Sequence, residues 1–244
     1  MGNIFHRIII ATLAILSITI YSCGKDEPTK PPIETSTVID SDGNSYLTVK
    51  IGNQWWMAEN LKVTRFRNGD LIDQIQDGSE WSQRESAAYC IYDNSTVAPG
   101  LLYNWYAVND PRGIAPEGWR VANENDWQTL ERTLGLIEEE INKLNWRNSG
   151  RVGDKLKPKG PEGWLTYDGV WGNNNSGFLA LSGGCRLWNG KWSNPGLKYS
   201  GYFWTETSSS NTQAWFRHLD YKSSGIFRFY VDMKYGMSVR CVKN

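Results

Sequence analysis

Few residues in this chain could do chemistry. Of two histidines, His6 lies in the basic start of an expected signal peptide and would leave with it, so any Ser-His-Asp or Cys-His arrangement must use His218. His218 falls on an expected strand with no catalytic signature around it, and a surface or core role is the expectation. Cys90, Cys185 and Cys241 stand apart, with neither the paired spacing of a zinc site nor a basic cluster that would lower a thiol pKa. In an oxidising compartment they allow one disulfide and one spare thiol; three pairings are open, and Cys90 with Cys241 is preferred. Asp and Glu are too scattered to nominate the facing carboxylates of a glycosidase. Glu138, Glu139 and Glu140 read as the first turn of a helix. Asp40, Asp42, Gly43 and Asn44 imitate part of a calcium loop, but the bidentate glutamate that closes such a loop does not follow. A hairpin entry turn is expected there, and no metal or cofactor is.

The positive signal is aromatic. The chain has 13 Trp and 12 Tyr against 7 Phe, and these amphipathic rings are enriched where one side packs and the other meets ligand or water. In the last third, Trp188, Trp192, Tyr199, Trp215, Arg217, Tyr221, Phe227 and Arg228 are the candidates for contact with a glycan or protein ligand. Strand alternation puts Trp215, Arg217, Leu219 and Tyr221 on one face, where Arg217 could hold a carboxylate or a sugar hydroxyl. The competing expectation makes Trp204, Trp215 and Arg217 core and buried hydrogen-bonding residues. The 26 basic and 26 acidic residues cancel, which leaves no electrostatic footprint for nucleic acid.

The elements that must position these residues are short. Tyr46–Lys50 and Gln54–Met57 flank a Gly52-Asn53 turn and form an expected hairpin. Polar, Gly-containing chain from Arg67 to Glu85 reads as a loop or insertion. Asn123 can cap a helix in which Trp127, Leu130 and Leu134 make one stripe, with Gly135 placed to end it. A second amphipathic segment carries Ile137, Ile141 and Leu144. Beyond Lys157 the chain reads as turns and short strands, with Asp168-Gly169 and Asn189-Gly190 as the strongest hairpin signals. The fold class expected is α+β, short antiparallel strands around two central helices.

The N-terminus has a basic start, an apolar run from Ile8 to Ile20 and then Tyr21-Ser22-Cys23, too short for a membrane span and suited to export with cleavage. Ile20-Tyr21-Ser22-Cys23 resembles a bacterial lipobox, which implies a signal peptide over residues 1–22 and a membrane anchor on acylated Cys23. Lys25-Asp26-Glu27 looks like a signal for the outer face of the outer membrane. Pro28, Pro31 and Pro32 make residues 23–37 a semi-extended disordered spacer. One domain is expected over residues 38–244.

Thr48-Val49-Lys50-Ile51-Gly52-Asn53-Gln54-Trp55-Trp56-Met57-Ala58-Glu59-Asn60-Leu61, Leu102-Tyr103-Asn104-Trp105-Tyr106-Ala107-Val108 and Pro116-Glu117-Gly118-Trp119-Arg120-Val121 resemble the Fibrobacter succinogenes major paralogous (FISUMP) domain. Later blocks agree in order: Ser176-Gly177-Phe178, Gly183-Gly184, Gly201-Tyr202-Phe203-Trp204, Ala214-Trp215 with Arg217, and Val239-Arg240-Cys241-Val242. Ala115 stands where members often carry a cysteine, and Cys185 where Tyr or Ser is usual. The order of motifs is similar to the C-type lectin-like fold of formylglycine-generating-enzyme relatives, an analogy that says nothing about a site. The Glu-Pro-Asn and Gln-Pro-Asp signatures of calcium-dependent sugar binding are absent. The resemblance implies a non-enzymatic surface lipoprotein that binds glycan or host protein, with a structural part in a surface assembly, or an enzyme acting on polysaccharide, as alternatives.

Overall fold

The structure is a computed structural model and describes residues 32–244 apart from Glu162, Gly169 and Trp171. The expected signal peptide, Cys23 and the spacer up to residue 31 lie outside the described residues. In chain order the elements are β1 (Thr35–Ile39), β2 (Ser45–Ile51), β3 (Gln54–Met57), β4 (Asp73–Gln74), α1 (Gly78–Gln83), β5 (Ala88–Cys90), β6 (Leu102–Tyr103) and α2 (Trp105–Val108). Then follow β7 (Trp119–Val121), α3 (Glu124–Thr133), α4 (Glu138–Ile141), β8 (Asn145–Arg147), α5 (Val152–Leu156), β9 (Ser200–Ser208), β10 (Gln213–Asp220), β11 (Ile226–Asp232) and β12 (Cys241–Lys243).

Three sheets result, with strand orders β1-β2-β3-β12-β7, β8-β11-β10-β9 and β4-β5-β6. Pairing is antiparallel except between β4 and β5, so the α+β class stands. No helix among the described residues is long and apolar enough to cross a membrane. The first strand begins at Thr35, inside the segment read as spacer, because Thr35 to Ile39 pair in register with Val49 to Ser45.

The β2–β3 hairpin forms as expected, with Ile51 opposite Gln54. The acidic turn before it is structural: Asp40 Oδ1 accepts from the Asp42 and Asn44 amides at 2.9 Å each, and Oδ2 accepts from the Tyr46 hydroxyl at 2.6 Å. No cluster of three or more candidate metal ligands occurs among the described residues.

Helix α3 also forms as expected. Asn123 accepts from the Asp126 amide, and the Asp126 carboxylate reaches back to the Asn123 amide, a reciprocal cap. Gly135 takes φ +95° just past the helix end, where a side chain would strain the backbone. Trp127 and Leu130 are fully buried and pack with Trp56, Phe178 and Phe203 in a cluster of rings.

Three expectations need correction. The segment Arg67–Glu85 is no mere loop: it contains β4 and α1 and buries Ile72, Ile75 and Trp81, whose Nε1 donates to the Lys234 carbonyl at 2.7 Å. The second helix is a single turn, α4, because only Ile141 finds the core while Ile137 and Leu144 stay exposed. Cys90, Cys185 and Cys241 are all free and buried. Cys90 and Cys241 do not pair, since Cys90 packs with Ile75 and Trp81 on β5 while Cys241 lies on β12 in a different sheet and a different core cluster. Burial pushes the Cys90 and Cys185 thiols up to about 12, which keeps them protonated and unreactive at neutral pH.

Candidate functional site

The sheet β8-β11-β10-β9 sorts the expected site residues by the parity of β10. On its inner face Arg217 is 0% exposed and donates from Nε to Glu131 at 2.6 Å and from Nη1 and Nη2 to Glu124 at 2.9 and 2.8 Å. Arg228 donates from Nε to Glu124 at 2.6 Å and stacks on Trp215 at 3.8 Å. Arg147 completes the group with two 2.7 Å bonds to Glu131. Desolvation opposes charge on Arg217, yet the Glu131 and Glu124 carboxylates raise its pKa. Burial alone would raise Glu124, but Arg217 and Arg228 outweigh it and hold the carboxyl below its usual range. These arginines clamp α3 to the sheet, so Arg217 and Arg228 are committed to it, while Trp215, half-buried, covers the Arg228 guanidinium and packs edge to face on Tyr230.

The other candidates scatter. Trp188 is 52% exposed at the tip of the expected Asn189-Gly190 hairpin. Gly190 has φ +77° there, and a Cβ would meet the Gly78 carbonyl at 1.9 Å. Trp192 covers the buried Arg186 guanidinium at 4.1 Å and abuts Tyr92. Tyr199 and Tyr221 meet edge to face at 5.2 Å, Tyr221 also meets Tyr167, and Lys222 Nζ lies over both Tyr167 and Tyr221.

Phe227 lies on the opposite face of the sheet, which carries Ala214 and Phe216 into a core cluster and reaches solvent toward Trp146. In register across four strands stand Tyr202 on β9, His218 on β10, Phe227 on β11 and Trp146 on β8. Tyr202 stacks on the His218 ring with centroids 4.2 Å apart and planes 3° apart. Trp146 packs on His218 at 5.3 Å and on Phe227 at 5.4 Å, while 37% exposed to solvent. Trp146, His218, Asn148, Asp220, Lys222 and Ser223 line a shallow, open cleft of about 550 Å³. The cleft therefore joins an aromatic wall to an amide, a carboxylate, an ammonium and a hydroxyl.

A second hollow of about 500 Å³ lies between Val97, Pro99, Gly163, Leu181, Ser182, Leu197 and Lys198. It is mainly apolar, and its Ser182 hydroxyl is already committed to the Gly163 carbonyl and the Lys198 amide. It lacks the converging polar groups that fix a ligand's orientation, so the ring-lined cleft is the better site.

Sequence reasoning missed Trp146, Tyr202 and Lys222 and gave His218 no ligand role. The alternation that grouped Trp215 with Arg217 also groups Phe216, His218 and Asp220 on the other face.

His218 is the cleft's one titrating imidazole. Its Nε2 is buried with no hydrogen-bond partner among the described residues, and desolvation pulls its pKa from 6.5 to about 3. Asp220 and Lys222 share its cleft, and Trp146, Tyr202 and Phe227 contact its ring. Between pH 6.5 and 3 the unfolded chain binds a proton the folded chain refuses, so stability is lost as the pH is lowered through that window. His218→Phe should flatten the loss by about 2 kcal/mol between pH 7 and pH 4.5, measured from urea midpoints. Parallel curves for the variant and the parent would assign the acid sensitivity elsewhere.

No curated protein and no solved structure matches the chain significantly. The family model of the Fibrobacter succinogenes major domain matches residues 49–243, from β2 through the ring-bearing sheet to β12, and the chain belongs to that family.

Proposed function

We propose that this domain is a non-enzymatic recognition module that binds glycan in the cleft beside Trp146. The observation that carries the reading is the half-exposed Trp146 ring standing next to His218 above Asn148, Asp220, Lys222 and Ser223. A flat ring offers a face to the C–H side of a sugar, and polar groups around it take the hydroxyls. Asp220 is the one carboxylate among the described lining residues, whereas glycoside hydrolysis needs two. A protein ligand would be expected to demand a broader surface than a cleft of this size.

Trp146→Ala should lower affinity for a retained glycan by about tenfold or more, since aromatic contacts of this kind are worth on the order of 1 kcal/mol beyond area burial. A glycan array probed with the mature protein, followed by calorimetry on the variant, checks this. Retention of host proteins and of no glycan would sink the glycan reading.

The module would be held at the bacterial outer membrane, surface-exposed, through acylated Cys23, with a fold of C-type lectin-like type. Labelling with an alkyne palmitate probe should mark the parent protein and leave Cys23→Ser unmarked; equal marking of both would remove the anchor. A structural role in a surface assembly is the second reading. In its favour, β1 ends its sheet with an outer edge that pairs with no described strand, and Ile39 is 63% exposed on it.

A further inference from the structure

Two groups of rings meet at Lys222. The first is the four-ring register of Tyr202, His218, Phe227 and Trp146, one ring per strand. The second is Tyr167, which bridges to Val170, with Tyr221 and Tyr199 at the end of β10. Lys222 lines the cleft, and its Nζ lies 5.4 Å from the Tyr167 centroid and 5.2 Å from that of Tyr221. Tyr167 is 44% exposed, so its ring is available beyond the lysine.

We infer that the cleft is one end of a longer groove continuing over Lys222 onto Tyr167, and that its ligand is a linear polysaccharide read over several sugar units rather than a single sugar. This rests on the glycan reading above.

The physical ground is repetition. Trp146 and Tyr167 are both exposed, at 37% and 44%, and stand on either side of Lys222, so one chain can meet a ring at two separate places. Two separated rings suit a ligand with repeated units. Pyranoses whose substituents are all equatorial have flat C–H faces that lie against rings, which favours β-linked glucans over units with an axial hydroxyl on the contact face. Lys222, between the two groups of rings, is placed to donate to a hydroxyl or ring oxygen of the unit that crosses from one to the other. Two contact places on one chain also raise the effective concentration for the second once the first is occupied.

The test is calorimetry with β-1,4- and β-1,3-linked glucan oligosaccharides of two and of six units. The six-unit chain should bind about tenfold or more tightly than the two-unit chain. Tyr167→Ala, an exposed position whose loss leaves the core intact, should bring the six-unit affinity down toward that of the two-unit chain while leaving the latter unchanged. Lys222→Ala should act in the same direction. Equal affinity for both lengths, or a silent Tyr167→Ala, overturns the extended groove, and if Trp146→Ala still weakens binding the single-sugar reading survives it. If no glucan of either length binds and glycan arrays are blank, the glycan reading fails and takes the groove with it.

Discussion

Glu131→Gln is expected to lower folding stability by about 3–5 kcal/mol, among the largest effects of any single change in this domain. Glu131 is 0% exposed and receives three short charged bonds, two from Arg147 and one from Arg217. Glutamine keeps the shape but turns an amide donor toward guanidinium donors. It leaves Arg217 and Arg228 sharing Glu124, and takes from Arg147 the carboxylate it is paired with. Desolvation already lowers the Arg147 pKa against its carboxylate, so losing that carboxylate leaves a buried cation uncompensated. The signature in urea is a lower midpoint with an unchanged slope. A triple change, Glu131→Leu with Arg147→Met and Arg217→Met, should recover most of the loss, because apolar groups of similar volume avoid desolvating charge. A Glu131→Gln protein within about 1 kcal/mol of the parent would mean that water reaches the network and that the arginines do not depend on it.

That network also explains which parts of the site the sequence disclosed. The β2–β3 hairpin and the start of α3 were legible because each rests on contacts a few residues apart: a Gly52-Asn53 turn, and Asn123 with Asp126 across one helical turn. The two faces of β10 were legible as well, but alternation says only that Trp215 and Arg217 oppose Phe216 and His218; it does not say what packs on each face, and both meet buried residues. Arginine and tryptophan beside each other look like a ligand surface in either setting. The deciding evidence lay in α3, where Glu124 and Glu131 fall seven apart on the stripe that buries Trp127 and Leu134. An acid on a buried stripe requires a cation from elsewhere, and Arg217 was a candidate. Trp146 was hidden for another reason. Its strand, β8, is three residues long and pairs with β11 some eighty positions later, a long-range register that no local pattern encodes. The Cys90–Cys241 preference failed similarly, since spacing along the chain carries nothing about which sheet each strand joins.

Arg240 presents the opposite electrostatic problem from Glu131. It is fully buried, and its four acceptors are the Asn60 side-chain oxygen at 2.7 Å and the carbonyls of Met57, Phe178 and Leu179 at 2.9, 2.7 and 2.9 Å, none of them a carboxylate. Burial pulls its pKa down to about 9, so it stays charged at neutral pH, supported by neutral dipoles and by the Phe178 ring 4.5 Å away. Those bonds tie the chain before β12 to the end of β3 and to the loop at Phe178 and Leu179, where Leu179 is held at φ +51°. Removing the guanidinium should therefore loosen the loop and the C-terminal strand together. Arg240→Met is expected to cost about 3 kcal/mol or more, because several buried carbonyls lose their donor at once. Arg240→Lys should also be destabilised, by about 2 kcal/mol, since one ammonium cannot reproduce the planar fork that reaches four acceptors. Amide exchange separates this from a general weakening: β12 and residues 176–180 should exchange faster in both variants, while the α3 amides held by the Glu131 network keep their protection. Uniform acceleration across the domain would instead make Arg240 one contributor to global stability, with no special hold on the loop.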